Sequence, residues 1–301
     1  MAISRSQLVK ELEPGLNALF GLEYKRYENE HEQIFDKETS DRAFEEEVML
    51  SGFGNAAVKA EGSGVSYDQA QETFTARYTH NTIALAFAIT EEAIEDNLYD
   101  RLASRYTKAL ARSMANTKQV YAANVLNNAF NTNYLGGDGV ALCSTSHPTL
   151  AGTFSNTLAT AADLNETSLE QALIDIAAFT DERGLKIAAQ GLKLIIPSAL
   201  QFTADRLMKS AGRVGTSDND INAIKDMGMV PQGYTVNHFL TDSDAFFIKT
   251  DAPNGMKYFE RAPIKTSMEG DFETGNVRYK ARERYSFGWS DPRGIYGTAG
   301  A

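Results

Sequence analysis

A single cysteine, Cys143, leaves the chain without an internal disulfide and without a thiolate cluster for structural zinc. Histidine is scarce as well: His31, His80, His147 and His238 are scattered and show no ligand spacing. No apolar run is long enough to span a bilayer. The opening residues Met1, Ala2, Ile3, Ser4, Arg5 and Ser6 lack the apolar core of a secretory signal. These absences point to a protein made in the cytoplasm and kept there. Positive charge is also short: the net charge is −11 and the isoelectric point is near 4.9. A nucleic-acid reader carries a basic face instead. Acidity keeps such a chain soluble, and it would also suit the wall of a container that must not stick to DNA.

What is present is ordinary for a folded protein. Of 301 residues, 43% are apolar and 23% charged, enough for one large or two intertwined domains with real cores.

Candidate chemistry is thin. Ser144, Ser146 and Cys143 stand beside His147, with Asp138 a short way upstream. A hydrolase using Ser146 or Cys143 with His147 would need an oriented base and an oxyanion hole. No Gly-x-Ser-x-Gly elbow occurs, and the simpler reading is a capped turn around a buried cysteine. The cluster Gly136, Gly137, Asp138 and Gly139 is a turn, since no Gly-Lys-Ser/Thr follows as in a phosphate loop. Asp218, Asn219 and Asp220 lack the glycine and glutamate of a calcium loop. Arg282, Arg284 and Arg293 alternate with Glu283 and Asp291 nearby, which reads as a salt-bridged surface. No catalytic, cofactor or metal residue is assigned.

The order of parts is more informative. Ser4 can cap a short helix bearing Leu8, Val9 and Leu12, interrupted at Pro14 and Gly15 and resumed by Leu16, Leu19 and Phe20. The charged stretch from Tyr24 through Glu32 has no core stripe and reads as an arm that leans on something else. Phe44, Val48 and Leu50 lie on one expected strand, and 73–90 on its return. Ile83, Leu85, Phe87 and Ile89 alternate with Ala84, Ala86 and Ala88, the period of a strand with unlike faces. The polar tip between the strands holds Gly52, Gly54, Gly62, Gly64 and one lysine, Lys59. A two-stranded ribbon is marginal alone in water, so this one implies a neighbour beneath it.

Thr90 then caps a helix with Glu91 and Glu92 in its first turn. A bend is expected near Asp96 and Asn97, with a stripe through Leu98, Leu102, Tyr106, Leu110, Tyr121, Val125 and Phe130. Neither proline nor glycine occurs across 90–130, which allows a helix of roughly 33 residues, about 50 Å. A compact α/β region follows, with helices over 168–179 and 199–210, a buried strand at Lys193, Leu194, Ile195 and Ile196 stopped by Pro197, and a polar loop at 212–220. Strand-like runs close the chain.

This arrangement resembles the major capsid proteins of tailed phages with the Hong Kong ninety-seven fold, an α+β class. Leu142-Cys143-Ser144-Thr145-Ser146-His147-Pro148 looks like that family's loop after its spine helix. Asn156 and 169–185 look like the helix that follows, and Leu194-Ile195-Ile196-Pro197-Ser198-Ala199-Leu200 is similar to its strand–proline–helix junction. Thr241-Asp242-Ser243-Asp244-Ala245-Phe246 and the run from Asp271 to Gly288 complete the match.

The resemblance implies an N-arm at 1–41, an E-loop hairpin at 42–89 and a P-domain spine helix at 90–135. It further implies an A-domain at 136–255 and returning P-domain strands at 256–301. It implies copies joined as hexamers and pentamers into an icosahedral shell around double-stranded DNA, with scaffolding, portal and cement proteins as partners and no cofactor. The 212–220 loop would meet its copies at the capsomer centre. Lys59 would be the cross-linking lysine if such a bond forms, although a solvent-facing lysine is the plainer reading. With Met1 opening the arm, a separate scaffolding protein is expected. An encapsulin-like nanocompartment shell shares the fold and is the nearest alternative; a decoration protein should be shorter and lack the long helix.

Overall fold

The computed structural model describes residues 5–90, 92–93, 99–213, 220–271 and 275–301. Helix α1 (Arg5–Tyr24) runs unbroken through Pro14, where two helical segments were expected. Leu16 and Phe20 of α1 are buried against Ala103, Leu110, Ala111 and Met114 of α2 (Tyr99–Asn127) and against Tyr279 and Ala281. The Asn17 side chain accepts hydrogen bonds from Thr266 at 2.7 Å and Tyr279 at 2.8 Å. The arm thus leans on its own chain. The 3-10 helix Glu30–Gln33 follows and buries His31. His31 sits edge-on to Tyr258 and Phe287 at 5.4 and 5.5 Å, and burial lowers its pKa to about 4.

Strand β1 (Asp36–Thr39) pairs in parallel with β10 (Met256–Gly270), which pairs antiparallel with β11 (Val277–Trp289). The expected return strand at 73–90 is two strands. β3 (Glu72–Thr79) pairs with β2 (Phe44–Leu50) as an isolated ribbon, and β4 (Asn81–Ile89) pairs with β11 at the edge of the four-stranded sheet. The chain changes sheets at His80, whose ring nitrogens bond Ser40 and Ser286, each at 2.9 Å.

Thr90 Oγ1 accepts from the Ala93 amide at 3.4 Å, the expected cap. Glu91, the bend at Asp96 and Asn97, and Leu98 lie outside the described residues. Helix α2 has 29 residues, about 44 Å. Among the described side chains its buried stripe is Ala103, Thr107, Leu110, Ala111, Met114, Lys118, Ala122 and Leu126; of the expected series Leu110 is buried, Tyr106 and Tyr121 are exposed, and the Leu102 side chain lies outside the described residues. Small residues bring the helix close to the sheet, and Tyr106 and Tyr121 flank the contact, packing on Phe87 and Tyr285.

Strands β5 (His147–Thr149) and β6 (Gly152–Phe154) form a short hairpin, and the second sheet has the order β12, β9, β7, β8: Ile295–Thr298, Phe246–Thr250, Gly191–Ile196 and Tyr234–Val236. Both faces are covered. Leu194, Ile196, Phe246 and Ile248 pack with helices α3 (Glu166–Ala177) and α4 (Gln201–Lys209), while Ile195 and Phe247 face Ala122, Leu126, Tyr258 and Tyr285. Helix α3 starts at a capping box between Asn165 and Ser168. β7 ends at Pro197, as expected.

An ion pair is buried where α1, α2 and β11 meet. Lys118 Nζ lies 2.8 Å from Glu283, and the Tyr24 hydroxyl donates to the same carboxylate at 3.1 Å. Burial raises the Glu283 pKa, opposed by Lys118. Lys118→Met strips Glu283 of its counter-charge and should cost about 3–5 kcal/mol in urea unfolding of the unassembled subunit. Lys118→Met with Glu283→Leu should recover most of that loss; a double variant as unstable as the single one contradicts the assignment.

Candidate functional site

The histidine cluster is built as a structural knot. His147 Nδ1 lies 2.6 Å from an Asp138 carboxylate oxygen and its Nε2 lies 3.1 Å from Asn156 Oδ1. The Asn156 side-chain amide donates to the carbonyls of Leu142 at 2.7 Å, Pro292 at 2.9 Å and Ile295 at 3.2 Å. Its oxygen also accepts from the Ser144 amide at 2.9 Å. Both Asn156 and His147 are buried. One asparagine therefore ties the loop after α2 to the C-terminal strand, saturating its hydrogen-bonding capacity. Beside it, Arg293 pairs with Glu182 at 2.9 Å and Asp291 at 3.2 Å and lies over the Phe154 ring. Burial raises the pKa of both carboxylates.

This geometry does not serve acyl transfer. Both nitrogens of His147 are engaged away from Ser146, whose hydroxyl faces Ser144 at 3.4 Å. Cys143 is buried in the core, and burial pushes its thiol pKa up, the opposite of an activated nucleophile. The adjoining cavity is about 10 Å³, room for one water at most. Among the described residues no group of three His, Cys, Asp or Glu side chains could hold a metal. Asp218 and Asn219 lie outside the described residues.

Among the described residues the arginines do not form the salt-bridged surface expected of them. Arg293 is buried, and Glu283 points to the opposite face of β11 from Arg282 and Arg284, where it meets Lys118. Alternation along a strand separates what the sequence places side by side. The Lys118–Glu283 pair left no sequence signal: Glu283 lies between two arginines and Lys118 in an otherwise ordinary helix.

The other built feature is the ribbon. Its base is pinned: Lys257 pairs with Glu38 at 2.9 Å and with Glu47, and the Tyr78 hydroxyl meets Ser290 at 2.5 Å. Gly137 lies so close that a Cβ there would be 2.6 Å from the Thr75 carbonyl oxygen, so the glycine turn abuts the ribbon. Beyond the base, contact with its own chain is sparse. Arg183 reaches the Gln69 carbonyl at 2.6 Å and Asp68 at 3.6 Å. Phe53, Val58, Val65 and Tyr67 are exposed, Tyr67 by 94%. Lys59 is exposed and, among the described residues, has no ion-pair partner. The 212–220 loop closes through a bridge between Gly212 and Ile221; its residues 214–219 lie outside the described residues.

Two integrated cores and a ribbon whose tip leaves Phe53, Val58, Val65 and Tyr67 exposed suit a subunit of an assembly. A family model described as phage capsid protein matches residues 72–298. The chain belongs to that family: it is a major capsid protein that forms the head shell, a structural role in the virion. No curated protein sequence matches it. Solved structures give the fold, that of the Hong Kong ninety-seven type. The virus-like particle from Pyrococcus furiosus aligns at TM-score 0.55 and 11% identity, over 95% of this chain and 98% of that one. The capsid of an empty GTA particle aligns at 0.52 and 17%, over 92% and 91%. The capsid of Myoviridae phage XM1 aligns at 0.52 and 10%, over 89% of both chains.

Asn156→Ala should leave three buried carbonyls and His147 without their partner and cost roughly 3 kcal/mol or more in urea unfolding. An unchanged midpoint contradicts the knot.

Proposed function

We propose that identical copies join as hexamers and pentamers into an icosahedral head around double-stranded DNA. Residues 1–41 act as the N-arm and 42–89 as the E-loop excursion. The spine spans 90–135, the A-domain 136–255 and the returning strands 256–301. Strand β4 takes part in the P-domain sheet, so the freely projecting part of the excursion is the β2–β3 ribbon with its tip. In the shell the ribbon lies over a neighbouring subunit. Assembly takes place in the host cytoplasm with a scaffolding protein and a portal, and no reaction is catalysed.

Four large apolar side chains exposed on an otherwise polar tip are the observation that carries this reading. Phe53, Val58, Val65 and Tyr67 are left to water in one subunit, and each contributes roughly 1.5–3 kcal/mol when fully buried. Head-to-tail contacts that close by rotation give rings. Because the fold is shared with a virus-like particle, the phage assignment is supported by the family match rather than by the fold.

Negative-stain microscopy of the chain co-expressed with its scaffolding protein should show closed shells. A variant lacking 52–71 should keep its urea midpoint but form none. Closed shells from the deletion variant would sink the role given to the ribbon. Particles from infected cells that lack a portal vertex and enclose enzyme instead of DNA would favour a nanocompartment.

A further inference from the structure

The longest helix carries the wrong charge for this protein. Helix α2 holds five cations, Arg101, Arg105, Lys108, Arg112 and Lys118, against one carboxylate, Asp100, in a chain of net charge −11. Lys118 is spent inward on Glu283. Arg105, Lys108 and Arg112 are exposed. At 100° per residue they fall within about 60° of arc and span about 10 Å along the axis. Among the described residues none of the three has a carboxylate partner; Arg112 only rests against the Tyr27 ring at 5.4 Å.

The three cations line a groove of about 560 Å³ between α2 and the end of α1. Ser113 and Asn116 add neutral donors on the same lining, and Ala109 is its one apolar residue. Glu23 also borders the groove, with its carboxylate shared with Arg26 at 3.5 Å. A protein partner would need aromatic or aliphatic anchors in a pocket, and this lining offers none. Unpaired cations at intervals along a rigid helix, with hydroxyl and amide donors beside them, suit a phosphate backbone.

We infer that Arg105, Lys108 and Arg112 form a sequence-independent contact for duplex DNA phosphates. The inference rests on the reading of the shell as a DNA container and adds that the α1–α2 side of the subunit faces its contents. The net negative charge keeps the remaining surface from adhering, so the contact stays local and weak.

Fluorescence anisotropy of a labelled 30-base-pair duplex with unassembled subunits tests this. Three phosphate contacts predict a slope of log affinity against log salt of about −2.7, or about 40-fold between 50 and 200 mM. Arg105→Ala/Lys108→Ala/Arg112→Ala should abolish most of that binding while still assembling, because exposed helix positions accept alanine. Arg105→Lys/Arg112→Lys should retain the slope. Closed wild-type shells should not bind the duplex from outside. Subunits that ignore DNA at 50 mM salt, a triple variant that binds as wild type, or subunits that bind poly-glutamate in preference to the duplex overturn the inference. Failure of the wild-type chain to form shells at all, judged separately by microscopy, would instead count against the container reading.

Discussion

A two-stranded ribbon cannot bury its own side chains, and much of this subunit's design follows from that limit. Two strands have two faces and no second layer. The ribbon resolves the lower part of the problem by fixing its base: Tyr78 and Ala76 are buried against Phe259, and Lys257 binds Glu38 and Glu47 across the junction. The upper part is left open, with Val58 and Tyr67 in solvent. An element anchored firmly at one end and unsatisfied at the other suits the proposed contact with a neighbouring copy, whose position the anchor would set.

The remainder of the chain provides the rigid platform that such aiming requires. Its two sheets share a core, because β7 and β9 send alternate residues to opposite sides and Ile195 and Phe247 meet the first sheet's aromatic cluster. Tyr258, Tyr285 and Phe287 pack on one another there, with ring centroids 4.6 to 6.2 Å apart. Helix α1, helix α2 and β11 are held in register by Lys118, Glu283 and Tyr24. A buried pair of this kind contributes little net stability but penalises any arrangement that separates its members. The Asn156 knot does the same at the other end, where the loop after α2 meets the last strand.

The order of elements was legible in the sequence because it is written in local signals: the alternation at Ile83 to Ile89, the proline-free run after Thr90, the stop at Pro197. Their partners were not, because pairing is non-local. Nothing near His80 announces that the chain leaves one sheet for another there. The helix stripe was legible at Leu110 but not at its tyrosines, since burial on α2 also takes alanine, threonine and a paired lysine, while the large Tyr106 and Tyr121 sit at the margin. Pro14 did not break α1, because packing of Leu16 and Phe20 offsets the lost hydrogen bond and the crowding of the ring against the preceding turn. The serine, cysteine and histidine near 143–147 gave a chemical hint whose resolution lay in Asn156, an asparagine whose three carbonyl partners come together only in the fold. Arg282 and Glu283 are sequence neighbours on opposite faces of one strand, which no reading of charge order alone separates.

If the ribbon completes its burial on another copy of the chain, the exposure of its tip must change when shells close. Amide hydrogen exchange across 44–79 tests it most directly, measured on unassembled subunits and on closed shells under the same conditions. Rapid exchange is expected at 52–71 in the subunit, slow exchange near the anchored base, and strong protection of the tip once shells close. Exchange at the tip that is equally fast in shells, or already slow in the isolated subunit, would contradict it.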